Sequence, residues 1–236
     1  MEKGAIIHAG KGKTLYETSD PDLCIMSFKD ELFTHMGQKR ETIPDKGICN
    51  AKISRVLFAL LSEVGIPNHY LQQIGDRDLL VRKMEMLPVK FMVRNVVAGN
   101  LARLLGMEEG LQLLDPVLEY YYLNEKLGEP LVNASHLRIL GIVDEGQLRI
   151  CTILAQQVNL VLKNFFARRG ILLVDCQLQF GKIGKEILLG DELTPDTCRL
   201  WDARTGVRLD KDRFRRELGG VTEAYQQVLA RVLEKK

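Results

Sequence analysis

The sequence predicts a fold of mixed helices and short strands that begins with a small antiparallel sheet. Three observations predict it. Residues 1–30 contain short β-rich segments separated by glycine or proline, two later stretches have apolar residues at helical spacing, and a glycine-containing hairpin signal follows the second of them. The chain has 236 residues, 46% of them apolar, which is enough for a hydrophobic core in one large or two small domains.

The first predicted elements are three strands bounded by Gly10, Gly12 and Pro21. They cover Ala5–Ala9, Lys13–Glu17 and Leu23–Phe28. Three strands joined by short turns form an antiparallel sheet in the simplest arrangement. A helix is predicted next over Lys46–Val64, because its apolar residues recur at helical spacing and the segment Gly65–Pro67 ends it.

The middle of the chain is predicted to form two more strands, Leu79–Met86 and Val89–Ala98. Proline cannot donate to a strand ladder, so we expect Pro88 to separate these strands and to mark a lobe boundary. Gly99 opens a short helical stretch. Residues 107–144 contain turn residues and few periodic runs, so no long element is predicted there.

The strongest helix prediction covers Gln147–Arg169, whose apolar residues keep helical spacing along the whole segment. A hairpin of Ile171–Phe180 and Glu186–Leu189 follows it, joined by a loop that contains glycine. Residues 199–216 hold seven basic and three acidic side chains, and a solvated face is the favoured interpretation of that stretch. A last helix is predicted over Gly220–Lys236.

Composition excludes several classes of function. With 33 basic and 31 acidic residues the formal charge is only +2, and the basic stretch 199–216 has no interleaved aromatic residues beyond Trp201 and Phe214, so nucleic-acid binding is not predicted. The chain has no run of about 18 uncharged apolar residues and its N-terminal apolar segment is short, so neither a membrane span nor a secretory signal is expected. Five cysteines without a Cys-x-x-Cys pair favour the cytoplasm, and zinc-ligand spacing and a G-x-S-x-G motif are absent.

One turn has the composition of a phosphate-binding loop. The segment Gly10–Thr14 contains the end of a Walker A string, but the first glycine of that motif would fall at Ile7, so the segment is not a P-loop. Glycines still let backbone N–H groups approach a phosphate, and Lys11 and Lys13 supply positive charge. An ordinary hairpin with solvated lysines is the alternative.

Two arginines and two aspartates are further candidates. Arg94 lies in an apolar strand, where an unpaired charge is costly, so it needs either a carboxylate of the protein or an anionic ligand. The strand-to-helix turn at Gly99 and the guanidinium of Arg199 could assist in holding a phosphate. Asp175, in an apolar run, and Asp191, at a strand end, are candidate magnesium or nucleotide ligands, with capping or salt bridging as the alternative.

In their order along the chain, these and other short strings resemble the SAICAR synthetase family of purine-pathway ligases over nearly the whole length. The strings are Gly10–Thr14, Lys46-Gly47, Asn50, Gly65–Pro67, Val81–Lys83, Met86–Val89, Val93–Asn95, Ala98-Gly99, Leu172–Asp175, Phe180-Gly181, Leu189–Glu192, Pro195-Asp196, Arg199–Asp202 and Asp210–Arg215. No single string decides the resemblance, but the ordered set is specific.

The resemblance implies an α+β enzyme of two lobes. Residues 1–87 would form an N-terminal ATP-binding lobe with the antiparallel nucleotide-binding sheet, and residues 88–236 a larger α+β lobe that completes the nucleotide and ribotide sites. The implied reaction is ATP-dependent: a carboxylate attacks ATP to form an acyl phosphate, and an amine captures it to give an amide. Such chemistry depends on positioning, on Mg²⁺ and on cationic neutralisation of the moving charge.

The resemblance also implies roles for individual residues. Those expected at ATP are Lys11, Gly12, Lys13, Lys83, Met86 and Asp191. Those expected at the phosphate of the ribotide are Arg94, Asn100 and Arg199. Those expected at the reaction centre are Asp175, Gln177 and Gln179, with Asp191 and Asp175 as magnesium ligands.

Several positions depart from the family pattern. They are residues 33–37 in place of a Ser-Ala-Gly-Asp-Gly-like loop, Lys90 for Glu, Asn100 for Ser, Ala134 for an acidic residue, Gln177 for Lys and Gln179 for Glu. Because opposite charges disappear together, our main hypothesis is a ligase with altered substrates, a paralogue in specialised nucleotide or natural-product biosynthesis. The alternatives are the housekeeping purine enzyme that uses aspartate and a non-catalytic nucleotide-binding relative. Small-molecule partners and a homo-oligomer are implied.

Overall fold

A computed structural model of the chain describes residues 1–33 and 39–234 and confirms the α+β class. The strands are β1 (Ile6–Ala9), β2 (Lys13–Glu17), β3 (Leu23–Phe28), β4 (Glu31–Phe33), β5 (Arg40–Thr42), β6 (Tyr70–Gln73), β7 (Asp78–Arg82), β8 (Glu85–Val96), β9 (Gln112–Tyr122), β10 (Leu131–Val132), β11 (Ile171–Ile183), β12 (Glu186–Leu189) and β13 (Cys198–Asp202). The helices are α1 (Lys46–Glu63), α2 (Asn100–Leu105), α3 (Ala134–Ile139), α4 (Glu145–Ala167), α5 (Asp212–Arg215) and α6 (Val221–Leu233). Of the departing loop at 33–37, residues 34–37 lie outside the described part.

The first sheet is antiparallel, in the order β1-β2-β3-β7-β6, and its first three strands lie where the sequence predicts them. One of its faces packs on α1, where Phe28 and Met26 of β3, Leu79 of β7 and Ala51 of α1 form a buried cluster. The turn between β1 and β2 stands at the edge of this sheet and carries the Gly/Lys segment. The sheet therefore projects that turn toward the rest of the molecule.

The second sheet has the order β10-β9-β8-β11-β12, and β13 also pairs with β11. Side chains alternate along its central strands. Phe91 of β8 and Leu178 and Phe180 of β11 point to one face and join the large core under α4. Their neighbours, among them Arg94 and Asp175, point to the other face. Because paired residues in an antiparallel ladder point the same way, the register gathers polar side chains on that second face.

Pro88 does not separate two strands as the sequence predicts, because β8 runs through it from Glu85 to Val96. The ladder explains why. Lys90 pairs with Gln179, but Met86 pairs with Gly181, so β8 has extra residues in a bulge at this point. Proline is tolerated at a bulge because no ladder hydrogen bond is required of its nitrogen. The chain passes from the first sheet to the second just before this bulge, and a lobe boundary at 87/88 stays a prediction.

Six of the described strands fall where the sequence indicates none, namely β4, β5, β6, β9, β10 and β13, and two of them contribute to the site. β9 lies within residues 107–144, and the first half of the strand is mostly exposed, while Glu119 in the second half is the one buried residue of the strand. β13 opens the basic stretch, whose interpretation as a solvated face is wrong at Arg199. The side chain of Arg199 is only 13% exposed because β13 is a strand of the sheet, whereas Arg204 is exposed.

Helix α4 covers the apolar face of the second sheet. By length and composition it could cross a membrane, but this is weak evidence because the core helix of a compact protein passes the same test. Its Cys151, Val158 and Leu162 are fully buried in the core. Within that core Asn159 exchanges two amide hydrogen bonds with Asn95 of β8, at 2.8 and 2.9 Å. The pair ties α4 to the strand that carries Arg94.

Replacing Asn159 with Ala is expected to lower the free energy of unfolding by about 1–3 kcal/mol, because the amide of Asn95 would be left buried without that partner. Urea unfolding measures the change, with Asn164→Ala at an exposed position of α4 as the control. A loss no larger than that of the control would show that the pair contributes nothing to stability.

Candidate functional site

Lys13 stands at the centre of the first charged cluster. It follows the Gly/Lys turn at the start of β2, and its Nζ lies 2.8 Å from Oε1 of Glu192 and also pairs with Asp191. Burial by itself lowers the pKa of Lys13, but the two carboxylates outweigh it and the net pKa is raised. Lys13 is therefore a fully charged cation held inside the structure, and a solvated hairpin lysine does not describe it.

Gly12 brings the turn into contact with the loop that follows β12. A Cβ at this position would lie 3.4 Å from Oε1 of Glu192 and 3.8 Å from Oδ2 of Asp196. The absence of a side chain thus lets the backbone of the turn lie close to both carboxylates. Lys11, on the same turn, is 55% exposed, and its Nζ lies 3.6 Å from Oε1 of Glu125.

Asp191 adopts a left-handed backbone conformation with φ of 60°, which is uncommon for a residue other than glycine. Its Oδ2 accepts a hydrogen bond of 3.4 Å from Nε2 of Gln179, and its carboxylate pairs with Lys13. Met86 lies beside the neighbouring glycine, where a Cβ on Gly190 would be 3.3 Å from the Met86 Cε. Residues predicted at ATP therefore converge on the end of β12.

A second charged cluster forms where three strands lie side by side. Arg94 of β8 and Arg199 of β13 are both register partners of Asp175 on β11. Nη1 of Arg94 lies 3.1 Å from Oδ2 of Asp175, and Arg199 pairs with the same oxygen. Nε of Arg94 donates to Glu119 at 2.7 Å, and Nε of Arg199 donates to Asp212 at 2.6 Å. We call these five residues the arginine cluster.

Buried ion pairs set the protonation states of this cluster. Burial by itself would raise the pKa of Asp212, but Arg199 and Arg215 outweigh it and hold the pKa at about 2. For Arg94 and Arg199 burial acts to lower the pKa and the carboxylates raise it, with a net increase for both. Asp210 forms no ion pair with a described residue, and burial together with the nearby Asp212 carboxylate raises its pKa to about 7.

Gly99 allows Arg199 to reach this position. Its φ is 56°, and a Cβ there would lie 2.8 Å from Nη2 of Arg199, so a side chain would meet both backbone strain and a clash. Asn100 follows at the start of α2, and its Nδ2 is 3.5 Å from Oη of Tyr121, which also accepts from Arg94 at 3.2 Å. The structure thus brings together Arg94, Asn100 and Arg199.

Each arginine of the cluster already has carboxylate partners. For Arg94 this is the structural alternative that the sequence left open, in which the protein supplies the anion. A role for Arg94 or Arg199 at a ligand phosphate therefore stays a prediction. The register of the strands explains why these side chains lie together.

Gln177 and Gln179 continue along the same face of β11 beyond Asp175. Lys90, the register partner of Gln179, is half-buried, and its Nζ bonds Oε2 of Glu129 at 2.7 Å. Position 90 therefore presents a paired cation to this face. Ala134 is exposed at the start of α3.

Asp175 and Asp191 do not form one metal site. Asp191 contacts Gln179, which is four residues from Asp175 along β11, or about 13 Å of strand. Within the described residues no group of three or more His, Cys, Asp or Glu side chains is arranged to hold a metal ion. Asp191 and Glu192 are adjacent carboxylates, however, and Mg²⁺ in nucleotide sites takes only one or two carboxylates besides phosphate and water oxygens.

A third group of residues lies between the two clusters. Oδ2 of Asp196 accepts from Nζ of Lys46 at 2.8 Å and from Nδ2 of Asn50 at 2.9 Å, and its Oδ1 accepts from Oη of Tyr225 at 2.6 Å. Burial by itself would raise the pKa of Asp196, but Lys46 and the neighbouring Lys211 lower it strongly. These contacts fix the loop under Gly12 to α1 and α6.

Sequence reasoning assigned no role to several charged residues of the site. They are Lys46, Glu119, Glu192, Asp196, Lys211 and Asp212. All but Glu119 lie in the family-like strings, which was the available signal. Glu119 lies in residues 107–144, where the sequence predicts no long element, so no local signal marked it. Of the remaining predictions, Lys83 is exposed in the link between β7 and β8, so its role at ATP stays a prediction.

A cavity of about 580 Å³ lies elsewhere, in the groove between α1 and α4. Arg55, Tyr70 and Phe165 are among its lining residues, and none of the predicted site residues lines it. The charged face described above, and not this groove, contains the convergent polar groups. It offers cations at two ends, at Lys13 and at the arginine cluster, which suits a substrate set with two phosphate-bearing molecules.

Known proteins resemble this chain over its full length. A family model described as SAICAR synthetase matches residues 6–232. A protein of Desulfitobacterium hafniense (strain Y51) named phosphoribosylaminoimidazole-succinocarboxamide synthase is 46% identical over 234 residues, 99% of this chain and 98% of the relative. One from Thermoanaerobacter sp. (strain X514), with the same name, is 44% identical over 98% of this chain and 99% of the relative.

Solved structures agree with the sequence relatives. A SAICAR synthetase in complex with ADP has a TM-score of 0.94 and 40% identity, over 98% of this chain and 99% of that one. The enzyme of Ehrlichia chaffeensis has a TM-score of 0.95 and 36% identity, over the full length of both chains.

Proposed function

The chain belongs to the SAICAR synthetase family of ATP-dependent, amide-forming ligases, and we propose that it catalyses the housekeeping reaction of purine biosynthesis with aspartate as the amine. The observation that carries the proposal is the pair of cationic centres on one polar face, Lys13 at one end and Arg94 with Arg199 at the other. Two centres match the two phosphate-bearing substrates, ATP and a ribotide.

ATP is the first substrate, in keeping with the relative whose structure contains ADP. In the proposal its phosphates contact the Gly/Lys turn, where Gly12 opens access and Lys13 supplies charge. Met86 borders the adenine, and Lys11 and Lys83 approach from the exposed side. Asp191, with Glu192 beside it, would hold Mg²⁺, which when bound neutralises phosphate charge.

The ribotide would occupy the other end. Its phosphate would contact Arg94, Asn100 and Arg199. It would bind the same two guanidinium groups that pair with Asp175 in the structure. Its carboxylate would then lie along β11 near Gln177 and Gln179, toward ATP. The carboxylate oxygen attacks the γ-phosphorus and ADP leaves; the amine attacks the acyl carbon, and inorganic phosphate leaves as the amide forms. The protein mainly positions the reactants and neutralises charge.

The hypothesis of altered substrates is not retained as the main proposal. Relatives 44–46% identical over almost the whole chain carry the name of the housekeeping enzyme, which favours that alternative. Lys90, Gln177 and Gln179 do lie on the polar face of the site. Because these three residues depart from the family pattern, a change of substrate is one of the results that the experiment below can detect.

The remaining expectations also belong to the proposal. The enzyme would act on small molecules in the cytoplasm, in keeping with five free cysteines that are all buried. It would form a homo-oligomer, and its lobes would meet near residues 87 and 88.

The test is to incubate the protein with ATP, Mg²⁺, the carboxyaminoimidazole ribotide and aspartate and to detect ADP and the succinyl amide by mass spectrometry. Stoichiometric formation of both is expected. If no amide forms at high enzyme concentration, a panel of other amines and carboxylates follows. Turnover with a different pair would establish altered substrates, and ATP binding without any turnover would establish a non-catalytic relative.

A further inference from the structure

The groove between α1 and α4 contains a cation that the reaction proposed above does not use. Arg55 of α1 lines this cavity of about 580 Å³ and is half-buried. Its side chain forms no hydrogen bond or ion pair with any residue in 1–33 or 39–234, and its Nε is buried without a partner. Burying a guanidinium group without a partner costs stability, so a bound anion would be its natural partner.

Two more arginines line the cavity from the end of α4. They are Arg168 and Arg169, and the Nε of Arg169 is also buried without a hydrogen-bond partner. Nη1 and Nη2 of Arg169 donate to the carbonyls of Phe165 and Glu234 at 3.3 and 2.9 Å. The partial negative charge at a helix C-terminus gives both arginines a structural reason to lie there. Arg55 has no such reason, because it lies in the middle of α1.

The charge of the lining fits a phosphate monoester. The charged residues that line the cavity are the three arginines and Glu63, which leaves a formal charge of +2 from three positive and one negative side chain. A phosphate monoester carries a charge of about −1.5 to −2 at neutral pH. The planar fork of a guanidinium group also matches the spacing of two phosphate oxygens. Arg55 therefore has both the charge and the geometry to bind such a group.

The rest of the lining suits a planar, mostly apolar body. Tyr70 and Phe165 contribute aromatic rings, and Val56 of α1 and Val161 of α4 contribute apolar surface. The ring of Phe165 lies 3.7 Å from the guanidinium carbon of Arg169. A mainly apolar lining with a few polar groups, in a cavity of about 300–1,000 Å³, is typical of sites for small organic ligands. Aromatic side chains also provide faces on which a nucleobase can stack.

We infer that the groove between α1 and α4 is a second ligand site, which binds a nucleoside monophosphate with its phosphate on Arg55 and its base against Tyr70 and Phe165. The site is separate from the charged face, because α4 covers the opposite, apolar face of the second sheet. Binding in the groove would therefore be independent of the reaction proposed for the charged face.

The experiment is calorimetric titration of guanosine monophosphate into the protein saturated with ADP, Mg²⁺ and the carboxyaminoimidazole ribotide, so that the charged face is filled. Binding of one molecule per chain is expected. Guanosine lacks the anion and inorganic phosphate lacks the base, so each is expected to bind at least about 10-fold more weakly.

Variants of Arg55 assign the binding to the groove. Arg55→Met is expected to weaken the binding of guanosine monophosphate by about 10-fold or more, the loss typical of one charge-assisted hydrogen bond. Arg55→Lys keeps the charge without the fork and should weaken it less. Arg149→Met, at an exposed position near the other end of α4, serves as the control and should bind as the wild type does. Equal affinity of the wild type and Arg55→Met would overturn the inference.

Urea unfolding provides a second measurement. Because Arg55 makes no ion pair with a described residue, Arg55→Met should unfold at the same urea concentration as the wild type or higher. Guanosine monophosphate should raise the midpoint of the wild type much more than that of Arg55→Met, since a ligand stabilises the state that binds it. A lowered midpoint of Arg55→Met without ligand would overturn the inference, because it would show that Arg55 has a structural partner.

A second copy of the chain is the competing occupant of the groove. If the wild type did not bind guanosine monophosphate and Arg55→Met lowered the molar mass measured by light scattering, the groove would be a contact between copies and the inference would be wrong. Failure of the proposed function gives a different result. A protein that makes no succinyl amide but binds guanosine monophosphate through Arg55 would support the second site, and one that makes the amide without such binding would exclude the second site alone.

Discussion

Replacing Lys13 with Met is expected to lower kcat/KM by about 10²–10³-fold, the loss seen when a preorganised group that stabilises transition-state charge is removed. Lys13 is the buried cation beside the Gly/Lys turn, held by Asp191 and Glu192. Without it, two adjacent carboxylates would face the phosphates of ATP unneutralised. A coupled assay of ADP formation with the natural substrates measures the effect.

Two further variants make this result specific. Lys11→Met should lose much less activity, because Lys11 is more than half exposed and its pair with Glu125 is long at 3.6 Å. Lys163→Met, on the exposed side of α4, should behave as the wild type. Equal activity of Lys13→Met and Lys163→Met would remove Lys13 from the ATP site.

Replacing Arg94 with Met is expected to lower the free energy of unfolding by about 3–5 kcal/mol, the range for breaking a buried ion pair on one side. The side chain of Arg94 is 4% exposed, and its loss would leave Glu119 without a cation and Asp175 with Arg199 alone. Urea unfolding monitored by tryptophan fluorescence provides the measurement. The same variant is expected to lose activity, since Asp175 and Arg199 depend on this pairing for their positions.

A double replacement distinguishes the charge from the packing. Arg94→Met combined with Glu119→Gln removes one uncompensated carboxylate and should recover part of the lost stability. Arg204→Met, at an exposed position, should change the stability by no more than about 0.5 kcal/mol. If Arg94→Met were as mild as Arg204→Met, the arginine cluster would not be a structural unit.

The sequence by itself determined the elements whose signals are local. The strands Lys13–Glu17 and Leu23–Phe28 have exact bounds because glycine and proline punctuate them, and α4 was evident from apolar spacing along its length. The family likewise followed from ordered short strings. The prediction that Pro88 separates two strands was wrong, because Pro88 lies at a bulge where the ladder requires no N–H donor. The bulge depends on the partner strand and is not visible in the local sequence.

Only the tertiary structure decided which charges meet. Arg94, Asp175 and Arg199 are far apart along the chain, and they converge because β8, β11 and β13 pair in one register. Glu119 joins them from β9, whose exposed first half concealed the strand. Local periodicity fixes which face a side chain occupies, but the partner of a buried charge depends on strand order and register.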